Sequence, residues 1–238
     1  MKKGTVMIHH PYTPPAGFAS PAVPVHKGST VFFDNVAAMR SRTWLDRSAY
    51  TYGLHGTPTS FTLEERIATL EGGKHTMLVS SGLAAVTMVD IALLKSGDQV
   101  LLPHNVYGPN KNFTRTELAA WGIHHAIYDA MDASSLAAAI TPATKLVWLE
   151  ATGSVTLEFP DLRSLIHVVR ERAPQAVIAI DNTWGAGIAF DAFALGIDVT
   201  IHALTKYPSG GGDVLMGAVT CRDEALYRTL ALSRSRVG

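Results

Sequence analysis

The chain has 238 residues, 47% hydrophobic and 17% charged, enough to bury one large core or two modest ones. Twenty Lys and Arg balance twenty Asp and Glu, so the formal net charge is zero and no basic cluster stands out. That balance argues against nucleic acid or an anionic membrane surface as a partner. The single cysteine, Cys221, excludes an intrachain disulfide, residues 1–15 lack the apolar core of a signal peptide, and no apolar run approaches a membrane span. A soluble, cytoplasmic chain is expected.

Residues 1–50 are Pro-rich (Pro11, Pro14, Pro15, Pro21, Pro24) and read as irregular, a segment that wraps another surface instead of making its own core. A turn-rich loop, 50–59, follows. Thr62 and Glu65 have the spacing of a capping box for a helix through Leu63, Ile67 and Leu70, closed by Gly72-Gly73. From there the chain alternates. Strand 77–79 runs into Ser80-Ser81-Gly82 and a helix with Leu83, Val86, Val89 and Leu93 on its apolar side. Strand 100–102 leads to Tyr107 and a helical stretch to about residue 120. A helix over 133–140 precedes strand 146–149, which ends on Glu150, and a helix over 162–172 precedes strand 176–180, which ends on Asp181. A short strand with Val199 and Ile201 on one face then delivers Lys206 onto a turn with Pro208 and three glycines, followed by strand 215–221 and a helix from about Asp223. Continuous apolar strands separated by helices predict an α/β fold with a mostly parallel sheet covered on both faces.

In an open α/β sheet, ligands bind at the carboxyl ends of the strands. This chain places Ser80-Ser81-Gly82, Tyr107, Glu150, Asp181 and Thr205-Lys206 there. A helix opening at Gly82 favours a phosphate. An acid such as Asp181 holds a proton on a ring nitrogen, Tyr107 stacks on a ring, and a partly desolvated lysine forms a Schiff base with an aldehyde. Phosphate, protonated pyridine, stacked ring and aldehyde together describe pyridoxal 5′-phosphate. Each residue also has an ordinary reading: an N-cap at Ser81, a turn cap at Asp181 through Asn182 and Thr183, packing at Tyr107, a solvated charge at Glu150, a surface lysine at Lys206. Other chemistries fail on spacing. The glycines follow Lys206 instead of preceding it, no Gly-x-Ser-x-Gly surrounds Ser80 and Ser81, and the pairs His9-His10 and His124-His125 lack a zincin spacing.

These motifs resemble the Cys/Met-metabolism PLP-dependent enzymes of aminotransferase fold type I. The matching stretches are Tyr-Gly-Leu-His-Gly-Thr-Pro-Thr (52–59), Leu-Glu-Gly-Gly (70–73), Ser-Ser-Gly-Leu-Ala-Ala (80–85) and Val-Tyr-Gly-Pro (106–109), then Asp-Asn-Thr-Trp (181–184) and Ala-Leu-Thr-Lys-Tyr (203–207). Within the family, residues 150–158 are similar to the stretch of bacterial cystathionine β-lyases, where γ-lyases and γ-synthases usually carry an Asn-Pro version. The resemblance implies a Schiff-base lysine and Cα proton shuttle at Lys206, a pyridine partner at Asp181, and a stacking ring at Tyr107. It implies phosphate contacts from Gly82, Leu83 and Thr205, a further cofactor contact at Thr183, and a substrate-carboxylate neighbour at Ser154. Tyr52 would reach the cofactor phosphate of a neighbouring subunit, so residues 1–55 are expected to form an arm on that subunit and 56–238 the PLP-binding domain of a homo-oligomer, a dimer or tetramer.

Four departures are visible. Leu54 stands where many members carry a phosphate-binding arginine, with His55 beside it as a candidate substitute. Ala203 replaces a common serine, Thr152 a proline, and Gly211-Gly212 the usual His-Ser. Family members are longer, with a small C-terminal domain that supplies a carboxylate-binding arginine, so the chain is expected to be truncated. Arg234 and Arg236 read as solvated helix-end charges. The implied reaction is α,β-elimination of L-cystathionine. The alternatives are γ-elimination or γ-replacement on sulfur amino acids, or an inactive chain that only binds PLP or oligomerises.

Overall fold

The computed structural model describes residues 2–9, 16–17, 20 and 22–237. Pro11, Pro14, Pro15, Pro21 and His10 lie outside the described residues. The N-terminal segment is less irregular than its prolines suggest. It holds two short helices, α1 (Lys3–Ile8) and α2 (Val36–Ser41), the second capped by Asn35, whose Oδ1 accepts from Ala38 N.

Helix α3 (Pro58–Glu71) starts ahead of the Thr62–Glu65 box. Thr57 is the cap: its Oγ1 accepts from Ser60 N, and Ser60 Oγ accepts from Thr57 N. Pro58 then fills the first helical position, where no N–H is needed. Thr62 instead donates back to Pro58 O at 2.8 Å, a bond of the helix interior. Gly72, at φ 78, closes the helix in the left-handed conformation.

The alternation continues with β1 (His75–Val79), α4 (Gly82–Leu93), β2 (Gln99–Pro103) and α5 (Gly108–Phe113), which runs on into a π-helical stretch, Thr114–Leu118. Strand β3 (His124–Tyr128) has no counterpart in the sequence reading, because its opening histidines are exposed or half-buried at the sheet edge and carry no apolar signal. Then come α6 (Ala133–Ala139), β4 (Thr144–Glu150), α7 (Leu162–Arg172), β5 (Val177–Asp181), a 3-10 turn (Phe193–Leu195), β6 (Val199–Ala203), β7 (Gly217–Cys221) and α8 (Glu224–Val237).

Among the described residues, seven strands form one sheet in the order β1-β7-β6-β5-β4-β2-β3. Pairing is parallel from β6 through β3, and β7 runs antiparallel to both its neighbours. Alternation sorts side chains to the two faces. Leu146 and Trp148 pack with Val86 and Val89 of α4, whereas Val147 and Leu149 pack with Leu165 and Val169 of α7. Strand β6 is therefore buried on both sides: Thr200 and His202 are as inaccessible as Val199 and Ile201.

Arg234 is not a solvated charge. Its guanidinium donates to Leu54 O, His55 O and Leu78 O at 3.1–3.2 Å and faces Glu64 at 3.7 Å, so it ties α8 to the turn that carries Tyr52. Arg47 donates to the same Glu64 and to Thr76 O. Arg236 is exposed, as expected.

One buried acid makes stability depend on pH. Asp90 of α4 is fully inaccessible and accepts from Trp148 Nε1 at 2.8 Å, and its second oxygen has no partner. Burial pushes its carboxyl up to about 7, with the Trp148 bond acting the other way. The folded chain therefore holds this proton where the unfolded chain has lost it. The stability from this group is fully present below about pH 4 and is lost as pH rises through about 7, a swing on the order of 4 kcal/mol. Asp90→Asn is expected to flatten the dependence of urea midpoints between pH 4 and 8; parallel curves for the two proteins would refute the assignment.

Candidate active site

Because β1 and the five parallel strands point the same way, their following loops converge on one edge. There they enclose a cleft of about 270 Å³. It is lined by Ser81, Gly82 and Leu83 after β1, Tyr107 after β2, Ser154 after β4, Asp181, Thr183 and Trp184 at and after β5, and Ala203, Thr205, Lys206 and Leu215 from the end of β6 to the approach to β7. Of the site residues expected from the sequence, Lys206, Tyr107, Gly82, Leu83, Asp181, Thr183, Thr205 and Ser154 meet in this cleft, and Tyr52 does not. A second cavity, about 280 Å³, lies between α1, α3 and Tyr207-Pro208. Its lining is mostly aliphatic and offers no set of groups for chemistry.

Helix α4 begins at the cleft floor. Ser81 is its cap, with Oγ accepting from Ala84 N at 3.0 Å. The N–H groups of Gly82 and Leu83 belong to the first turn, which has no helical acceptor, and both residues line the cleft. Gly82 is required by packing, since a Cβ there would lie 2.7 Å from Ala203 Cβ. The end of β5 is tied to β6 through Thr183, which donates N–H to Asp181 Oδ1 at 3.0 Å and accepts at Oγ1 from Ala203 N at 2.9 Å. Asp181 thus caps its own turn, as its ordinary reading has it, and it also lines the cleft. Burial pushes its carboxyl above the usual range, and the Thr183 bonds pull against that shift.

Glu150 is not the solvated charge that sequence allows. It is 2% exposed, and its two oxygens accept from Tyr107 N at 2.7 Å and Ser154 N at 2.8 Å. Burial first, and then the neighbouring Asp181, push it up to about 7 against these hydrogen bonds.

Lys206 differs from the sequence expectation in its surroundings. It is exposed, not desolvated, and its amine stands 5.9 Å from the centroid of the Trp184 ring, which Tyr207 meets edge-on at 6.1 Å. Trp184 and Leu215 are lining residues that sequence reasoning did not assign, although Trp184 closes the Asp-Asn-Thr-Trp stretch that begins at Asp181.

Tyr52 sits on a surface turn, 49% exposed, with its ring edge-on to His55 at 6.2 Å. His55 is not free to replace an arginine at position 54. It stacks on Trp44 at 4.4 Å and shares a 3.0 Å hydrogen bond between its Nδ1 and Thr51 Oγ1. Burial, followed by Arg234 and Arg42, lowers its pKa, which disfavours a cationic ring. Among the described residues no group of His, Cys, Asp and Glu side chains is placed to hold a metal ion, and no helix is long and apolar enough to cross a membrane. Cys221 is buried and its thiol is pushed up to about 12 by burial, so it is unreactive.

A family model described as Cys/Met metabolism PLP-dependent enzyme matches residues 4–238. Escherichia coli cystathionine beta-lyase MetC is 36% identical over 83% of this chain and 50% of its own. Human cystathionine gamma-lyase is 34% identical over 80% of this chain and 47% of its own. A solved Campylobacter jejuni structure that contains N′-pyridoxyl-lysine-5′-monophosphate superposes with a TM-score of 0.86 at 29% identity, covering 94% of this chain and 55% of that one. The chain spans about half the length of the curated relatives it matches.

Proposed function

Because the chain belongs to the Cys/Met metabolism PLP-dependent enzyme family, we propose that it is the cofactor-binding part of a carbon–sulfur lyase that performs α,β-elimination on L-cystathionine. With one water consumed, the products are homocysteine, pyruvate and ammonia. The observation that carries this reading is the convergence of Lys206, Asp181, Tyr107 and the opening of α4 in one cleft.

The residues fit the cofactor by donor type. The cleft offers an amine, a carboxylate, an aromatic ring and two first-turn N–H groups, one for each part of pyridoxal 5′-phosphate. When bound, that group supplies an aldehyde and an electron-withdrawing ring. Lys206 would hold the cofactor at its aldehyde through its amine, and the same amine would take the proton from the substrate Cα. Asp181 holds a proton at the ring nitrogen, and Thr183 fixes the orientation of its carboxylate. Tyr107 would stack on the ring. Gly82 N, Leu83 N and the Thr205 hydroxyl bind the phosphate, and Ser154 stands at the substrate carboxylate. The exposed Tyr52 serves a second copy of the chain, which residues 1–55 clasp as an arm, with residues 56–238 as the cofactor-binding body; its exposure beside exposed Leu54 supports that placement.

The similarity to human cystathionine gamma-lyase favours γ-elimination as the second reading. Incubation of the PLP-loaded chain with L-cystathionine separates the two. Pyruvate with homocysteine is expected, whereas 2-oxobutyrate with cysteine would replace the β assignment by the γ one. No keto acid from a chain with bound cofactor would make it a binding protein.

A further inference from the structure

Glu150 is a buried acid for which the chemistry above has no use. Among the described residues it has no cationic partner within ion-pair distance, and Asp181 is its register partner on β5, on the same face of the sheet. Placing two carboxylates side by side in the interior is costly. A neutral residue at the end of β4 would relieve that cost, but it would lose a two-pronged acceptor. The prongs reach different loops: Tyr107 N lies in the loop after β2, and Ser154 N in the loop after β4. Val155 and Leu157 of the second loop occupy positive φ (68° and 58°) and are 96% and 64% exposed, so they gain little from packing and the loop depends on hydrogen bonds, those to Glu150 and the one from Asn105 Nδ2 to Glu158 Oε2 at 2.9 Å.

We infer that Glu150 is a positioning residue: its carboxylate locks the loop carrying Tyr107 to the loop carrying Ser154, fixing the width of the cleft between the ring-stacking and substrate-carboxylate walls. The roles of those walls rest on the proposed function; the clamp itself rests on the two hydrogen bonds. Each oxygen accepts one backbone N–H, an arrangement that the ionised carboxyl serves at both prongs at once. A glutamine offers one acceptor and turns an NH₂ group against the other backbone N–H.

The test is Glu150→Gln, a near-isosteric change that also removes the like-charge contact with Asp181 and so preserves folding. Without added cofactor, hydrogen–deuterium exchange at the amides of residues 107 and 154 is expected to quicken by about tenfold or more in at least one of the two. The urea midpoint should stay level or rise. With PLP added, the visible circular dichroism of the bound ring is expected to weaken by about half or more as the Tyr107 wall loosens. A merely structural role predicts the reverse, a lower urea midpoint with unchanged cofactor dichroism. Unchanged exchange at both amides would overturn the clamp. Faster exchange in a chain whose wild type shows no cofactor band would uphold the clamp and overturn the proposed function instead.

Discussion

Glu71→Ala is expected to lower folding stability by about 3–5 kcal/mol, because it leaves buried polar groups without their partner. The Glu71 side chain is fully inaccessible at the end of α3. Its Oε1 lies 2.5 Å from Nε2 of the equally buried His202, and Asn182 Nδ2 donates to Oε2 at 3.0 Å. The His202 contact is close in distance but off the hydrogen-bond direction. Burial alone would raise the Glu71 carboxyl; His202 and the hydrogen bonds from Asn182 outweigh it and leave the pKa lowered. A lowered folded pKa means that the stability from Glu71 is present above the unfolded value near 4.5 and is lost as pH falls below it. Urea denaturation of Glu71→Ala at pH 7 measures the effect, and a loss under 1 kcal/mol would sink the account of this cluster. The consequence reaches the site, because Asn182 directly follows Asp181 and shares its turn.

Asp181→Asn is expected to cut turnover of the cofactor-loaded protein by about 10²–10³-fold, the usual effect of removing one preorganised charge-stabilising contact. Asparagine can still accept from Thr183 N, so the turn survives while the negative charge is lost. Burial disfavours the charged carboxyl in the folded chain, so the same change is expected to leave the urea midpoint level or higher. Pyruvate formation from L-cystathionine and a urea titration read the two effects together. Turnover within threefold of wild type would remove Asp181 from its proposed role.

The sheet was legible because apolar runs and helical periods alternate from residue 77 onward, and that alternation alone places Tyr107, Asp181 and Lys206 on one edge. Strand β3 escaped because an edge strand opening with His124-His125 lacks the apolar run that marks its neighbours. The start of α3 was misplaced because two threonines offer capping spacings, and Pro58 was the discriminating signal. Arg234 and Glu150 were misjudged for a common reason. Whether a charge is solvated depends on contacts with residues far away in the chain, Leu54 and Leu78 for Arg234 and Tyr107 for Glu150, and no local pattern encodes them. Lys206 was placed at the right strand end, but its solvation depends on what covers the cleft. Tyr52 stands outside the cleft of its own chain, in keeping with a role proposed for it in a second copy.

The most direct test of the central claim is to mix the chain with pyridoxal 5′-phosphate, reduce with sodium borohydride and map the digest by mass spectrometry. The account predicts one phosphopyridoxyl group, on Lys206, and none in Lys206→Ala. A chain that takes up no group, or carries it equally on surface lysines such as Lys74 and Lys95, would contradict it.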